Sequence, residues 1–281
     1  MSPEVPGGIM GTMNPSLLSI AAEVLRRLDG SPFKASRFQL LAVHGDLCLL
    51  RGPEGLAEVP WADLPSALDL SPLLDHTLLK AEARQEDIDQ LCEEALEFGV
   101  ASVCVNPLWV ARCAARLQGS AVRTCTVVGF PLGATASHMK VTEAREAFRE
   151  GAQEIDAVLS VGLARMGDWE GVGRELGQLR RAVPDAVLKL ILETCLLTDP
   201  EKTRVCQVAV EEGVDFVKTS TGFSSGGATA SDVALLRGAV GASAGVKASG
   251  GIRSYASALE MVRSGATRLG VSASRTILAF R

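Results

Sequence analysis

From Ser71 to its end, the 281-residue chain alternates apolar segments of strand length with amphipathic segments of helical length, eight times over. No other feature constrains the fold as much, because short apolar runs followed by a 3.6-residue period are the pattern of successive βαβ units with parallel strands. LLDHTLL is the first strand, followed by the helix RQEDIDQLCEEALEFG with Gly99 as its stop; VASVCVN precedes PLWVARCAARLQG, and AVRTCTVVGFP precedes ASHMKVTEAREAFREG. EIDAVLSVG leads into DWEGVGRELGQLRRAV, AVLKLILET into DPEKTRVCQVAVEEG, VDFVKTSTG into TASDVALLRGAV, and AGVKASGG into SYASALEMVRSG. TRLGVS and SRTILAF close the series. Eight such units in residues 70–281 predict a (β/α)8 TIM barrel. An open doubly wound sheet uses the same units, but the GxGxxG fingerprint expected after its first strand is absent.

Residues 1–69 read as an N-terminal extension. The first twelve or so are rich in Gly, Pro and Met and are expected to be disordered. Asn14–Leu28 has an apolar stripe at helical spacing, and FQLLAVHGDLCLLRG reads as a hairpin turning at His44-Gly45-Asp46. The formal net charge of −5 offers no general attraction to nucleic acid or to an anionic membrane, and no basic stripe interleaved with aromatics supports nucleic-acid binding. No apolar run reaches spanning length and no secretion signal is evident, so a cytoplasmic protein is expected. Seven scattered cysteines suit a reducing compartment, and three histidines without ligand spacing argue against a dedicated metal site.

In a barrel, reactive side chains gather at the C-terminal ends of the strands. The sequence places Lys218 at the end of the sixth strand and Lys247 at the end of the seventh, on neighbouring strands and with a parity that lets both point inward. Each raises the cost of charging the other, and desolvation adds to it, so one amine can be neutral and attack a carbonyl. The alternative for either lysine is a stem lying on the rim with its ammonium in water. Asp156, near the end of the fourth strand, is a candidate proton shuttle or an ion-pair partner, and Lys189 shares the parity that would pair it with Asp156. Glu193 reads as a polar wall residue. Asp75, Thr77 and Asn106 are candidates for substrate hydroxyl contacts, or loop caps. Cys104 reads as a small apolar filler.

Gly250 and Gly251 follow Lys247, and Gly270 and Ser272 follow one another near a short final helix. Exposed N–H groups at such turns, serine hydroxyls and a helix N-terminus can hold a phosphate, which barrels frequently place after strands seven and eight. TGFSSGG, Thr221–Gly227, would cover part of that pocket. A phosphorylated substrate fits this arrangement.

VVGFPLGATASHMKVTEAREAFREGAQEIDAVLSVG, VLKLILETCLLTD, DFVKTSTGFSSGGAT and GVKASGGIRSY together resemble the deoxyribose-phosphate aldolase family, the DeoC-type class I aldolases, from about Leu74 to Leu278. The resemblance implies reversible cleavage of 2-deoxy-D-ribose 5-phosphate to D-glyceraldehyde 3-phosphate and acetaldehyde, without metal or organic cofactor, in a homodimer. It implies Lys218 as the Schiff-base lysine, Lys247 as its electrostatic partner and Asp156 as the proton relay. By motif, the phosphate residues fall on Gly250, Gly251, Gly270 and Ser272, with Thr221 and Gly222 at the same end. Members of the family that end in a tyrosine-bearing tail use it in proton transfer; here the one tyrosine is Tyr255, in a predicted helix. A related Schiff-base aldolase acting on another phosphorylated aldehyde and a non-enzymatic sugar-phosphate-binding barrel are the competing readings.

Overall fold

The computed structural model describes residues 38–44, 47–52, 55–61, 64 and 68–279. The expected disorder of the first dozen residues and the expected helix over Asn14–Leu28 lie outside the described residues. The chain divides into two compact units, Met1–Asp69 and Leu70–Arg281.

In the first unit, β1 (Phe38–His44) and β2 (Leu47–Gly52) form the antiparallel hairpin, with His44 opposite Leu47. The hairpin is part of a larger sheet. β3 (Gly55–Pro60) pairs antiparallel with β2, and β4 (Leu68–Asp69) pairs parallel with β1, giving the order β3-β2-β1-β4. Cys48, Leu49 and Leu50 of β2 are buried.

The second unit is a closed barrel of eight parallel strands. These are β5 (Leu74–Leu78), β6 (Ser102–Val105), β7 (Arg123–Val128), β8 (Glu154–Val158), β9 (Val187–Ile191), β10 (Phe216–Lys218), β11 (Gly245–Ser249) and β12 (Arg268–Val271). They adjoin in chain order, and β12 closes on β5 with Gly270 beside Asp75. The helices between them are α1 (Gln85–Phe98), α2 (Val110–Arg116), α3 (Ser137–Arg149), α4 (Val161–Arg165), α5 (Trp169–Ala182), α6 (Asp199–Glu211), α7 (Ala230–Val240) and α8 (Tyr255–Arg263), with α9 (Ser274–Leu278) after the last strand. Short α4 is additional to the pattern read from the sequence. No helix among the described residues is long and apolar enough to cross a membrane.

Local chemistry sets the helix limits. Ile88, Leu91, Cys92, Ala95 and Phe98 bury one face of α1, and Gly99 ends the helix at φ 65°, where a residue without Cβ avoids the left-handed penalty. Thr198 and Glu201 cap α6 reciprocally, satisfying N–H groups that the first turn leaves open.

Strand alternation then separates two chemistries. Outward residues such as Val103, Ile155, Leu188, Leu190, Val217, Val246 and Leu269 are buried under the helices, each contributing about 1.5–3 kcal/mol on full burial. The residues between them point inward, and they include the charged Asp75, Glu154, Asp156, Lys189, Lys218, Lys247 and Arg268.

Candidate active site

Asp156 is the middle residue of β8 and lies beside Lys189 on β9. Lys218 ends β10 and lies beside Lys247 on β11. Closing the barrel brings the four together. Asp156 Oδ1 accepts from Lys189 Nζ at 2.8 Å, while Oδ2 accepts from Lys218 Nζ at 2.8 Å and from Lys247 Nζ at 2.7 Å. The lysine side chains are 0%, 4% and 0% exposed respectively, so only Lys218 keeps an opening.

The strand-end position predicted for Lys247 is corrected: it lies mid-strand with Ser249 beyond it, and Asp156, expected near the end of its strand, has Val158 beyond it. β11 runs on because Ser249 still registers with Gly270 on β12, whereas β10 stops at Lys218. The ammonium group and carboxylate therefore sit within the mouth rather than on its edge.

Below Asp156 lie further charges. Lys189 reaches Glu154 Oε2 at 2.7 Å and Asp75 Oδ2 at 3.6 Å, and Lys247 makes a second ion pair with Asp75. Arg268, on β12, joins Asp75 at 2.7 Å and Glu154 at 3.0 Å, its guanidinium 5.3 Å from the centre of the Phe216 ring. Two glycines make room for this layer. A Cβ on Gly245 would fall 2.2 Å from the Phe216 ring, and one on Gly270 would fall 2.3 Å from Ser249 Oγ and 3.0 Å from Lys247 Cε.

Burial opposes the charges of Asp75, Glu154, Asp156, Lys189, Lys247 and Arg268, yet their neighbours outweigh it. Despite desolvation, Asp156 is held well below the usual carboxylate range by Lys189, Lys218 and Lys247. Asp75 and Glu154 are lowered in the same way, Asp75 by Arg268, Lys247 and Lys189 and Glu154 by Lys189 and Arg268. Against the same desolvation, Lys189 is raised by Asp156, Glu154 and Asp75, and Lys247 by Asp156 and Asp75. Lys247 is thus a fixed cation sharing one carboxylate oxygen with Lys218.

Other predicted residues take different places. Asp75 is wholly buried among cations, and Lys189 is equally enclosed, so both act on the site through charge rather than by an open surface. Thr77 Oγ1 donates to the Asp75 carbonyl at 2.8 Å, and Asn106 opens the turn Pro107–Trp109, its carbonyl accepting from Trp109 N at 3.0 Å. At the other side of the mouth, Gly222, Gly250 and Gly251 have φ of 85°, 90° and 82°. Gly250 packs so closely on Gly227 that a Cβ on Gly227 would fall 2.5 Å from the Gly250 carbonyl oxygen. Thr221 is buried in this loop, and Ser272 is exposed just after β12.

Sequence reasoning missed Glu154, Arg268, Cys125, Ser220 and Ser249. Glu154 shares the parity of Asp156, which was a usable signal; Arg268 begins its strand and carried none. The hydroxyls of Ser220 and Ser249 are buried without a hydrogen-bond partner among the described residues. Cys104, Cys125 and Asp156 place donor atoms within 4.8 Å of one another, as do Asp75, Cys125 and Glu154. Lysine ammonium groups already occupy those carboxylates, and their charge opposes a metal ion at either cluster.

Fold and site together define a (β/α)8 barrel enzyme built on buried amines paired to one carboxylate. Residues 70–279 match the family model described as DeoC/LacD family aldolase. The chain belongs to that family and is a class I aldolase, a lyase. It is 54% identical over 211 residues to a deoxyribose-phosphate aldolase of Streptococcus equi subsp. zooepidemicus, covering 75% of this chain and 96% of the relative. Among solved structures, the aldolase QR15 is 37% identical, with a TM-score of 0.72 over 74% of this chain and 94% of that one. The tetrameric deoxyribose phosphate aldolase of Aeropyrum pernix is 33% identical, with a TM-score of 0.71 over 75% of this chain and 89% of that one.

Proposed function

We propose that this enzyme cleaves 2-deoxy-D-ribose 5-phosphate reversibly to D-glyceraldehyde 3-phosphate and acetaldehyde through a Schiff base on Lys218. The observation that carries this reading is an imbalance. Lys189, Lys218, Lys247, Arg268 and, from β7, Arg123 converge on three carboxylates, Asp75, Glu154 and Asp156. Cations are in excess, so one amine can be neutral without stranding an anion. Lys218 has one carboxylate partner where Lys247 has two and Lys189 three, and it alone retains exposure.

The neutral Lys218 amine attacks the aldehyde carbon C1, and the carbinolamine loses water to give a protonated imine. Loss of the proton from the C3 hydroxyl breaks the C2–C3 bond, with its electron pair drawn into the iminium. D-Glyceraldehyde 3-phosphate leaves, the enamine is protonated at C2, and hydrolysis of the imine releases acetaldehyde. Asp156, held as a carboxylate between Lys218 and Lys247, orients water and passes protons between these groups.

The sugar is five carbons long, which lets its phosphate reach the glycine turns that follow β10 and β11. The positive φ of Gly222, Gly250 and Gly251 and the unpartnered hydroxyls of Ser220 and Ser249 support a phosphate there, with Gly270 and Ser272 on the adjacent strand end.

Incubation with acetaldehyde and borohydride should add a reduced two-carbon adduct to the peptide carrying Lys218. An intact mass without adduct, or an adduct confined to surface lysines, overturns the Schiff base. For the substrate, kcat/KM should favour deoxyribose 5-phosphate over deoxyribose by about a hundredfold, since each hydrogen bond to a charged group contributes about 1.5–3 kcal/mol. Ser272→Asp should erode that preference. Equal efficiencies in the parent would remove the phosphate site.

A further inference from the structure

We propose that Phe223, held over the barrel mouth by Glu193, is a specificity-determining residue that limits the size of the acceptor aldehyde in the addition direction; this rests on the aldolase reading of Lys218 given above. Phe223 lies in the loop after β10, and Phe130 follows β7. Their rings meet edge to face, with centroids 5.2 Å apart and planes at 85°. β8 and β9 stand between their strands, so the contact crosses the mouth. Phe130 packs on Leu79, Cys104, Cys125 and Val127, the inward-facing column beside Asp156, where the Cys125 thiol donates to Asp156 Oδ1 at 3.3 Å. The aromatic pair therefore roofs the inward column next to the proposed reacting carbon. Phe223 remains 57% exposed.

Glu193 supplies the hold. It is the one non-glycine residue at positive φ among the described residues, at 57°, a conformation that favours glycine and that a side chain occupies when something else holds it there. Its carboxylate is buried and has no ion pair among the described residues. Instead it accepts from Thr221 N at 3.4 Å and from the Thr221 hydroxyl. Thr221 Oγ1 in turn accepts from Phe223 N at 3.1 Å. A chain of hydrogen bonds thus runs from the end of β9 to the backbone of Phe223. Beyond it the loop is pinned by Ala228 N donating to the Gly250 carbonyl at 3.1 Å. One loop thus carries Gly222 at the proposed anion end and, at the next residue, a ring that reaches Phe130 on the β7 side, so an acceptor entering the mouth passes this ring. Glu193 is accordingly a positioning residue and Phe223 the wall.

The test uses the full chain and two unphosphorylated acceptors, propanal and 3-phenylpropanal, with acetaldehyde as donor. Phe223→Ala, a change at an exposed position, should raise the ratio of kcat/KM for 3-phenylpropanal over propanal by about tenfold or more, the scale on which pocket size discriminates apolar groups. Glu193→Ala should move the ratio in the same direction, and Glu193→Gln, which keeps an acceptor for Thr221, should restore the parent ratio. An unchanged ratio in Phe223→Ala, in a parent that traps acetaldehyde on Lys218, overturns the wall. A parent ratio in folded Glu193→Ala overturns the positioning role. Failure of the parent to trap acetaldehyde would instead sink the aldolase mechanism on which both rest.

Discussion

Two groups of buried ions adjoin β8, and they differ in balance. Beyond the end of the strand, Lys140 on α3 donates to Glu175 Oε1 at 2.8 Å, to Ser160 Oγ at 2.8 Å and to the Val158 carbonyl at 2.9 Å. Ser137 and Ser160 donate to the same carboxylate. Lys140 is fully buried, and Gly129 leaves space for its stem, a Cβ there falling 3.0 Å from Cε. One cation meets one anion and every donor is used, so the pair clips α3 and α5 to β8 and has no chemistry left over. Inside the barrel, five cations meet the three carboxylates Asp75, Glu154 and Asp156. On the proposed mechanism, burial and ion pairing alone do not distinguish Lys218 from Lys140; a surplus of cations and a residual opening do.

Lys218→Ala should break the comparison most completely, abolishing the borohydride adduct in intact-mass measurements, because neither Lys189 nor Lys247 has an open side. Asp156→Asn comes next. It keeps the shape but removes the shared anion, and activity should be lost together with about 3–5 kcal/mol of stability, the range for uncompensated buried charge. Urea titration with a kcat assay measures both. Lys140→Met should cost a similar ~3–5 kcal/mol by leaving Glu175 unpaired, while Lys218 is still trapped by acetaldehyde. If trapping disappears in a folded Lys140→Met protein, the clip belongs to the chemistry and the distinction fails. The double change Lys140→Met with Glu175→Leu should recover most of the loss, since a packed apolar pair often replaces a buried ion pair at little cost.

The smallest effect concerns pH. Burial pushes Lys140 below the ordinary lysine value of 10.5 in spite of Glu175, whereas Lys189 and Lys247 lie above it. The folded protein then binds fewer protons at Lys140 than the unfolded chain does, so its contribution to stability grows as pH rises toward 10.5. For Lys189 and Lys247 the sign reverses: their contribution is complete below 10.5 and falls as pH passes through their higher folded values. The carboxylates Asp75, Glu154 and Asp156 contribute fully above their ordinary values of 3.8 and 4.5 and lose that contribution as pH falls. Thermal melts of the parent and of Lys140→Met across pH 5–10 should diverge slightly toward the alkaline end; parallel curves would remove the proposed opposition between the two groups.

Much of this was legible along the chain. The eight-fold alternation, the stop at Gly99, the inward parity of Lys218 and Lys247 and the pairing of Lys189 with Asp156 are local or period-two properties, and the sequence determines them because strand and helix periods come from backbone geometry. The three-lysine arrangement around a single carboxylate was not legible, since it depends on which strands adjoin once the barrel closes and on side chains reaching across the interior. Asp75 reads locally as a loop cap and Gly270 as a turn residue, yet the first becomes a buried counter-ion and the second a notch for the Lys247 stem. Glu193 reads as a polar wall residue until its backbone turns left-handed and its carboxylate meets a loop 28 residues away. Sequence decided which residues could face inward; closure of the barrel decided which charges would meet, because pairing across a closed sheet joins residues whose separation along the chain carries no periodic signal.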